Sequence, residues 1–280
     1  RDVGGSNPSS ATILVKMKEN NLPFVGIGTW GLKNRECENT IFTAINNGYT
    51  FIDTASVYDN EHIIGDTIKK NKFDRNKITI ISKINTFKYH VFKSVNKSLK
   101  DLKTDYIDIV LIHWPIFKTS LDDYMEQLIK LKKDGKIKTI GVSNFNINLI
   151  KYININFPKV LKFNQIEYHP FLDQTILLKE MSKMKINPIA YCPLSRGKIN
   201  YNKVIKSIAL KYNKTCSQVV LKWLAKQKIS SVPGSSNKQN IINNIKLDNF
   251  DIDNFDMKQI SGLRKLNFRN IKNISEYKFD

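Results

Sequence analysis

Cysteine is scarce in this sequence: Cys37, Cys192 and Cys216 stand far apart, with no CxxC among them. That spacing suggests neither a disulfide framework nor a zinc site, and no other metal site is expected; it suits a reducing cytoplasm. Long apolar runs are missing too. No stretch approaches the ~18 consecutive apolar residues of a membrane span, so no membrane partner is expected. Arginine is also rare. Arg1, Arg35, Arg75, Arg196, Arg264 and Arg269 are the only arginines among 45 basic residues, although the formal net charge is +20. Such a charge invites a nucleic-acid partner, because basic proteins bind phosphate through counterion release. The lysines are instead scattered among Asn and Ile, and no helix-turn-helix, zinc-finger or RNA-binding signature accompanies them. Nucleic acid is set aside as a main partner.

The start, Arg1 to Lys16, does not read as a secretory signal, because ATILV is too short for its apolar region. Residues 1–16 are expected to be a disordered or non-native extension, the natural chain beginning at Met17. Residues 17–280 then have the length of one α/β barrel.

What is present is a regular alternation. Short apolar, β-branched runs recur with helical segments between them at intervals of roughly 30 residues, as in βαβ units. The runs are FVGIGTW, YTFIDTA, ITIISKI, YIDIVLIHW, IKTIGVSNF, LKFNQIEYH, INPIAYCPL and ISSVPGSS. Most are apolar on successive residues, as expected of strands covered on both faces. Between them, Phe92, Val95, Leu99 and Leu102 make one amphipathic stripe and Tyr124, Leu128 and Leu131 another. Ser120 before Asp122 and Asp123 predicts an N-cap, and Gly48 and Gly135 predict left-handed helix ends. Eight such strands can close into a (β/α)₈ barrel, the TIM-barrel architecture, or lie as an open sheet. No GxGxxG follows the first run, which argues for the single-domain barrel.

Barrels place chemistry at the C-terminal ends of their strands. There the runs carry Thr29 and Trp30, Asp53, Ser82 and Lys83, His113 and Trp114, Ser143 and Asn144, Gln165, Tyr191, and Ser235 and Ser236. Each has a plain alternative. Asp53 could cap a helix, Lys83 could reach solvent, His113 could be a core imidazole, and Ser143 and Asn144 could cap the helix before INLIKY. Together, an acid, a base and an imidazole on consecutive strands would face one mouth, where burial and mutual charge shift pKa values.

The segment GYTFIDTASVYDNEHIIG resembles the aldo-keto reductase signature, and ISK, LIHWP, IGVSNF and NQIEYHP follow in that family's order from about Leu22 to Leu263. Within the family the chain is most similar to the bacterial 2,5-diketogluconate reductases, which also reduce methylglyoxal. The resemblance implies reduction of a small carbonyl substrate by NADPH, with NADH possible, and a catalytic tetrad of Asp53, Tyr58, Lys83 and His113, with Tyr58 as proton donor. A cation beside a phenol tunes its acidity, and an imidazole can hydrogen-bond the carbonyl oxygen. It further implies cofactor contacts at Thr29, Asp53, Ser143, Asn144, Gln165, Tyr191, Leu194, Ser195, Ser235, Ser236, Asn237, Asn240 and Asn244. Substrate contacts are implied at Trp30, Tyr58, His113 and Trp114.

Where many members have a Lys and an Arg gripping the 2′-phosphate, this chain has Gly234 and Asn240, so NADPH is expected to be preferred over NADH less strongly than in members with the full clamp. Short loops after strands four and seven suggest an open pocket suited to small polar carbonyls. The chain is expected to act as a cytoplasmic monomer. An aldehyde or xylose-type reductase of other substrate, and a cofactor-binding barrel without turnover, stay open on the sequence.

Overall fold

The computed structural model describes residues 22–84, 90–115 and 119–271. The segment 1–16 and Met17 lie outside the described residues, as do residues 116–118 in the loop after the fourth strand.

Strand and helix alternate from the start: β1 (Ile27–Gly28), α1 (Asn34–Asn46), β2 (Phe51–Asp53), α2 (Glu61–Lys70), β3 (Thr79–Ile84) and α3 (Val91–Leu102). Next come β4 (Ile107–Ile112), α4 (Leu121–Lys133), β5 (Ile137–Ser143), α5 (Ile147–Asn156), β6 (Leu161–Glu167) and α6 (Thr175–Lys183). After β7 (Asn187–Tyr191) two helices, α7 (Lys203–Lys211) and α8 (Cys216–Lys226), precede β8 (Ser230–Ser231), followed by α9 (Lys238–Asn244) and α10 (Asn254–Gly262).

All eight runs become parallel strands in the order β1 to β8. Parallel bridges Val25↔Ser231 and Gly28↔Gly234 join the last strand to the first. Gly26 N–H donates to Ser231 O at 2.8 Å and Ser231 N–H to Phe24 O at 2.8 Å. The sheet is therefore closed, which leaves no edge strand to protect among the described residues.

The GxGxxG spacing does occur, but inside the first run, as Gly26, Gly28 and Gly31. A Cβ on Gly26 would lie 2.5 Å from the Phe51 ring, and one on Gly28 would lie 2.7 Å from Val232 O. Those two glycines serve close packing at the barrel's seam rather than a phosphate loop.

Two cores follow from the alternation of side chains along a strand. Ile52, Ile80, Val110 and Ile112 point outward and pack with the helices. Phe51, Ile81, Ile109, Leu111, Phe163, Ile189 and Val232 form a separate cluster that fills the barrel. On α3 the buried stripe is Val91, Val95, Leu99 and Leu102, with Phe92 only half-buried, a shift of one residue at its start. Each such side chain contributes about 1.5–3 kcal/mol by leaving water. Ser120 Oγ accepts from Asp123 N–H as an N-cap, and Gly48 and Gly135 adopt φ of 90° and 71°.

Candidate active site

The same two-residue period that fills the barrel also arms its mouth. Phe51, Ile81 and Leu111 point inward, so Asp53, Lys83 and His113, each two residues further on, point inward too, one step beyond the apolar layer. Phe163 and Ile189 likewise precede Gln165 and Tyr191. Tyr58 comes from a short 3₁₀ turn after β2, Ser56–Tyr58.

Lys83 is 1% exposed. Its Nζ donates to Asp53 Oδ1 at 2.9 Å, to Asp53 Oδ2 at 2.8 Å and to the Thr54 carbonyl at 2.8 Å. The same atom lies 3.5 Å from the Tyr58 hydroxyl. Lys83 therefore neither reaches solvent nor leaves Asp53 to cap a helix. Burial alone would lower the lysine's pKa, but the Asp53 carboxylate and Tyr58 outweigh it and hold the ammonium above its ordinary value. Burial raises the Tyr58 hydroxyl, and Lys83 opposes that rise without reversing it. Tyr58 is thus a protonated phenol at neutral pH. The His113 ring packs edge-on against Tyr58 with centroids 5.7 Å apart. Its pKa falls to about 3, from burial first and the Lys83 cation second, so the imidazole is neutral.

A second group adjoins these. Gln165 Nε2 donates to Asp53 Oδ1 at 2.6 Å, and Ser143 Oγ donates to the Gln165 carbonyl at 3.0 Å. Asn144, in the left-handed region with φ of 65°, donates to His113 O at 3.2 Å and accepts from the Tyr191 hydroxyl at 2.8 Å. The capping alternative for Ser143 and Asn144 fails, because Asn146 Oδ1 accepts from Leu149 N–H and caps α5 instead. A cavity of about 740 Å³ opens over both groups.

A sequence model of the aldo/keto reductase family matches residues 24–265. The chain belongs to that family. It is 36% identical to the methylglyoxal reductase DkgB of Escherichia coli O157:H7 over 248 residues, covering 86% of this chain and 93% of that one. It is 35% identical to the glyoxal reductase of Bacillus subtilis (strain 168) over 263 residues, covering 92% and 95%. A solved structure described as a putative 2,5-diketo-D-gluconic acid reductase B superposes with a TM-score of 0.87 at 27% identity, over 93% of this chain and 95% of that chain. The resemblance to the diketogluconate and methylglyoxal type thus holds, as does oxidoreductase chemistry on carbonyls with a nicotinamide cofactor of the family's kind. Among the described residues, no helix is long and apolar enough to cross a membrane.

Of the residues expected in this reductase's site, Trp30, Asp53, Tyr58, His113, Trp114, Ser143, Asn144, Gln165, Tyr191, Leu194, Ser235 and Asn240 line the cavity. Lys83 lies beneath it, and Thr29 donates Oγ1 to Asp53 O behind it. Ser195 is buried and bonded to Asn270, Asn244 is buried, and Ser236 and Asn237 are exposed; none of these four lines the cavity. Asn237 is the N-cap of α9.

The loop after β7 departs from expectation. It runs through a 3₁₀ segment, Ser195–Tyr201, and brings Arg196 Cζ 5.5 Å from the Trp30 ring centroid, so the mouth is partly bridged from that side. Arg196, Val57, Cys192 and Ile271 also line the cavity, though none is among the residues expected there. Arg196 stands in a polar run just after a strand, which was a usable signal. Ile271 gave none. It is brought in because the buried Glu167 carboxylate accepts from the backbone N–H of Asn270 at 2.5 Å and of Ile271 at 3.0 Å.

Proposed function

We propose that this protein reduces small aldehydes and ketones, of the methylglyoxal or 2,5-diketogluconate type, using NADPH with NADH as a second cofactor. Tyr58 is the proton donor. The observation that carries this is the Asp53–Lys83–Tyr58 line: a buried ammonium fixed by both oxygens of one carboxylate, within 3.5 Å of a protonated phenol at the floor of a cavity.

The cavity's donor set fits a nicotinamide. Ser143, Asn144 and Gln165 present hydroxyl and amide groups of the kind that pair with a carboxamide, beside the face of Tyr191. Leu194, Ser235 and Asn240, which line the cavity, would hold the remainder, while Thr29, Ser195, Ser236, Asn237 and Asn244 stand outside its lining, and no lysine or arginine at Gly234 or Asn240 is there to grip a 2′-phosphate. When bound, the cofactor supplies a hydride to the carbonyl carbon.

The chain's own residues do the rest. Neutral His113 offers a ring N–H to the carbonyl oxygen and orients it toward Tyr58. Negative charge develops on that oxygen, and the Tyr58 hydroxyl gives it a proton. The phenolate left behind faces the Lys83 ammonium, which opposes burial and stabilises the anion. Asp53 keeps Lys83 charged. Trp30 and Trp114 form the aromatic walls that confine a small substrate. A cytoplasmic monomer remains our reading of the chain's setting.

The test is a panel of methylglyoxal, 2,5-diketogluconate and xylose with each reduced cofactor, followed by loss of nicotinamide absorbance. Turnover of the first two above xylose supports the proposal. No turnover of any carbonyl would contradict it.

A further inference from the structure

Asn60 is 0% exposed and belongs to none of the groups assigned so far. It stands two residues after Tyr58, across Asp59 in the left-handed region with φ of 56°. Its backbone carbonyl starts α2 by accepting from Ile63 and Ile64 N–H, each at 3.1 Å, so the helix anchors it. Its carboxamide engages the start of its own loop and the loop after β1. Oδ1 accepts from Thr54 Oγ1 at 2.8 Å, while Nδ2 donates to Thr29 O at 2.8 Å and to Leu32 O at 3.1 Å.

Those partners are the frame of the site. Thr54 is the residue whose carbonyl accepts from Lys83 Nζ. Thr29 and Leu32 bracket Trp30 and Gly31, in a turn where Leu32 N–H donates back to Thr29 O at 3.1 Å and Gly31 adopts φ of 82°. One amide nitrogen thus gathers the carbonyls at the two ends of the turn that carries an exposed indole, Trp30 being 67% exposed. Without it, Leu32 O would lose this buried donor, and the turn would keep its own internal hydrogen bond and the two bonds at its Thr29 end, where the backbone N–H and Oγ1 donate to Asp53 O at 3.0 Å each, leaving the Leu32 end untied by Asn60. A buried carbonyl robbed of its donor drives the backbone to rearrange.

We infer that Asn60 is a positioning residue: its carboxamide fixes Trp30 relative to Tyr58 and so sets the width of the substrate mouth. This rests on the reductase function proposed above. A structural alternative is that Asn60 only satisfies buried carbonyls, which would affect stability but not the placement of Trp30 or selection of substrate.

The experiment labels the three tryptophans with 5-fluorotryptophan and follows them by ¹⁹F NMR, with the Trp30 resonance assigned by Trp30→Phe. In Asn60→Ala the Trp30 resonance is expected to shift or broaden, while buried Trp223 stays in place as a reporter of the fold. KM for methylglyoxal should rise by about tenfold or more, with cofactor Kd unchanged, since misplacement of about 1 Å can cost on the order of 100-fold. If Asn60→Ala does not fold, Thr54→Val removes the bond that orients the carboxamide and should give the same signature in smaller measure. An unmoved Trp30 resonance in the folded variant overturns the inference. So does a moved resonance with unchanged KM. Failure of the wild type on every carbonyl would instead defeat the reductase function, and the Trp30 resonance would still decide whether Asn60 positions the indole.

Discussion

Gln165 Nε2 donates to Asp53 Oδ1 at 2.6 Å, so the carboxylate that holds Lys83 is itself held from β6, on the far side of the barrel mouth. Asp53 is clamped between a cation and an amide, and Gln165 links the tetrad to the wall where the nicotinamide would lie.

Removing that link should separate binding from chemistry. In Gln165→Leu, Asp53 keeps both bonds from Lys83, so kcat should fall less than tenfold. Cofactor Kd should rise by about tenfold, equivalent to ~1.4 kcal/mol. Fluorescence titration with NADPH measures it, and a Kd that does not change would remove Gln165 from the cofactor's surroundings.

Lys83→Met leaves Asp53 as a buried carboxylate without its cation, a loss worth about 3–5 kcal/mol in comparable buried pairs. It should lower stability in urea unfolding and cost at least as much activity as loss of the Tyr58 hydroxyl. Asp53→Asn should be milder, because an amide oxygen still accepts from Lys83. Equal stability of Lys83→Met and wild type would contradict the tight pairing.

Much of this was legible before any coordinates. Continuous apolar runs gave eight covered strands, and their polar ends gave Asp53, Lys83, His113, Ser143, Asn144, Gln165 and Tyr191, because side chains alternate with a fixed period of two. What escaped depends on distance in space. β1 and β8 are two residues each, and their closure rests on bridges between positions more than 200 residues apart. Nothing local marks Asn60 in the sequence, and only the fold shows which carbonyls its side chain gathers. By residue type Ser143 or Asn144 could equally cap α5, but Asn146 does so, a choice set by backbone geometry rather than residue type.

Cofactor preference should be soft and easily hardened. With Gly234 and Asn240 at the adenine end, the NADPH to NADH ratio of kcat/KM should stay below ~1,000, equivalent to about 4 kcal/mol. Asn240→Arg should raise that ratio by about tenfold through a charge-assisted pair with the 2′-phosphate. A native ratio above this limit would mean that other groups, such as Ser235 or Lys238, already grip the phosphate.

Acid should destabilise the fold through His113. The folded imidazole titrates at about 3, against an ordinary 6.5. Between those values the unfolded state binds the extra proton, so stability is complete above pH 6.5 and falls as pH drops toward 3. His113→Asn should flatten part of that slope in urea unfolding followed across the window. An unchanged slope would mean that the imidazole is not held neutral.

The most direct measurement is single-turnover reduction of methylglyoxal by Tyr58→Phe beside cofactor titration of the same variant. The hydroxyl is all that is lost, so cofactor affinity should stay within about threefold while the rate of reduction falls by ~100-fold or more, the range for losing a general acid. A variant that keeps more than about a tenth of the wild-type rate would contradict the central claim and move the proton-donating role away from Tyr58.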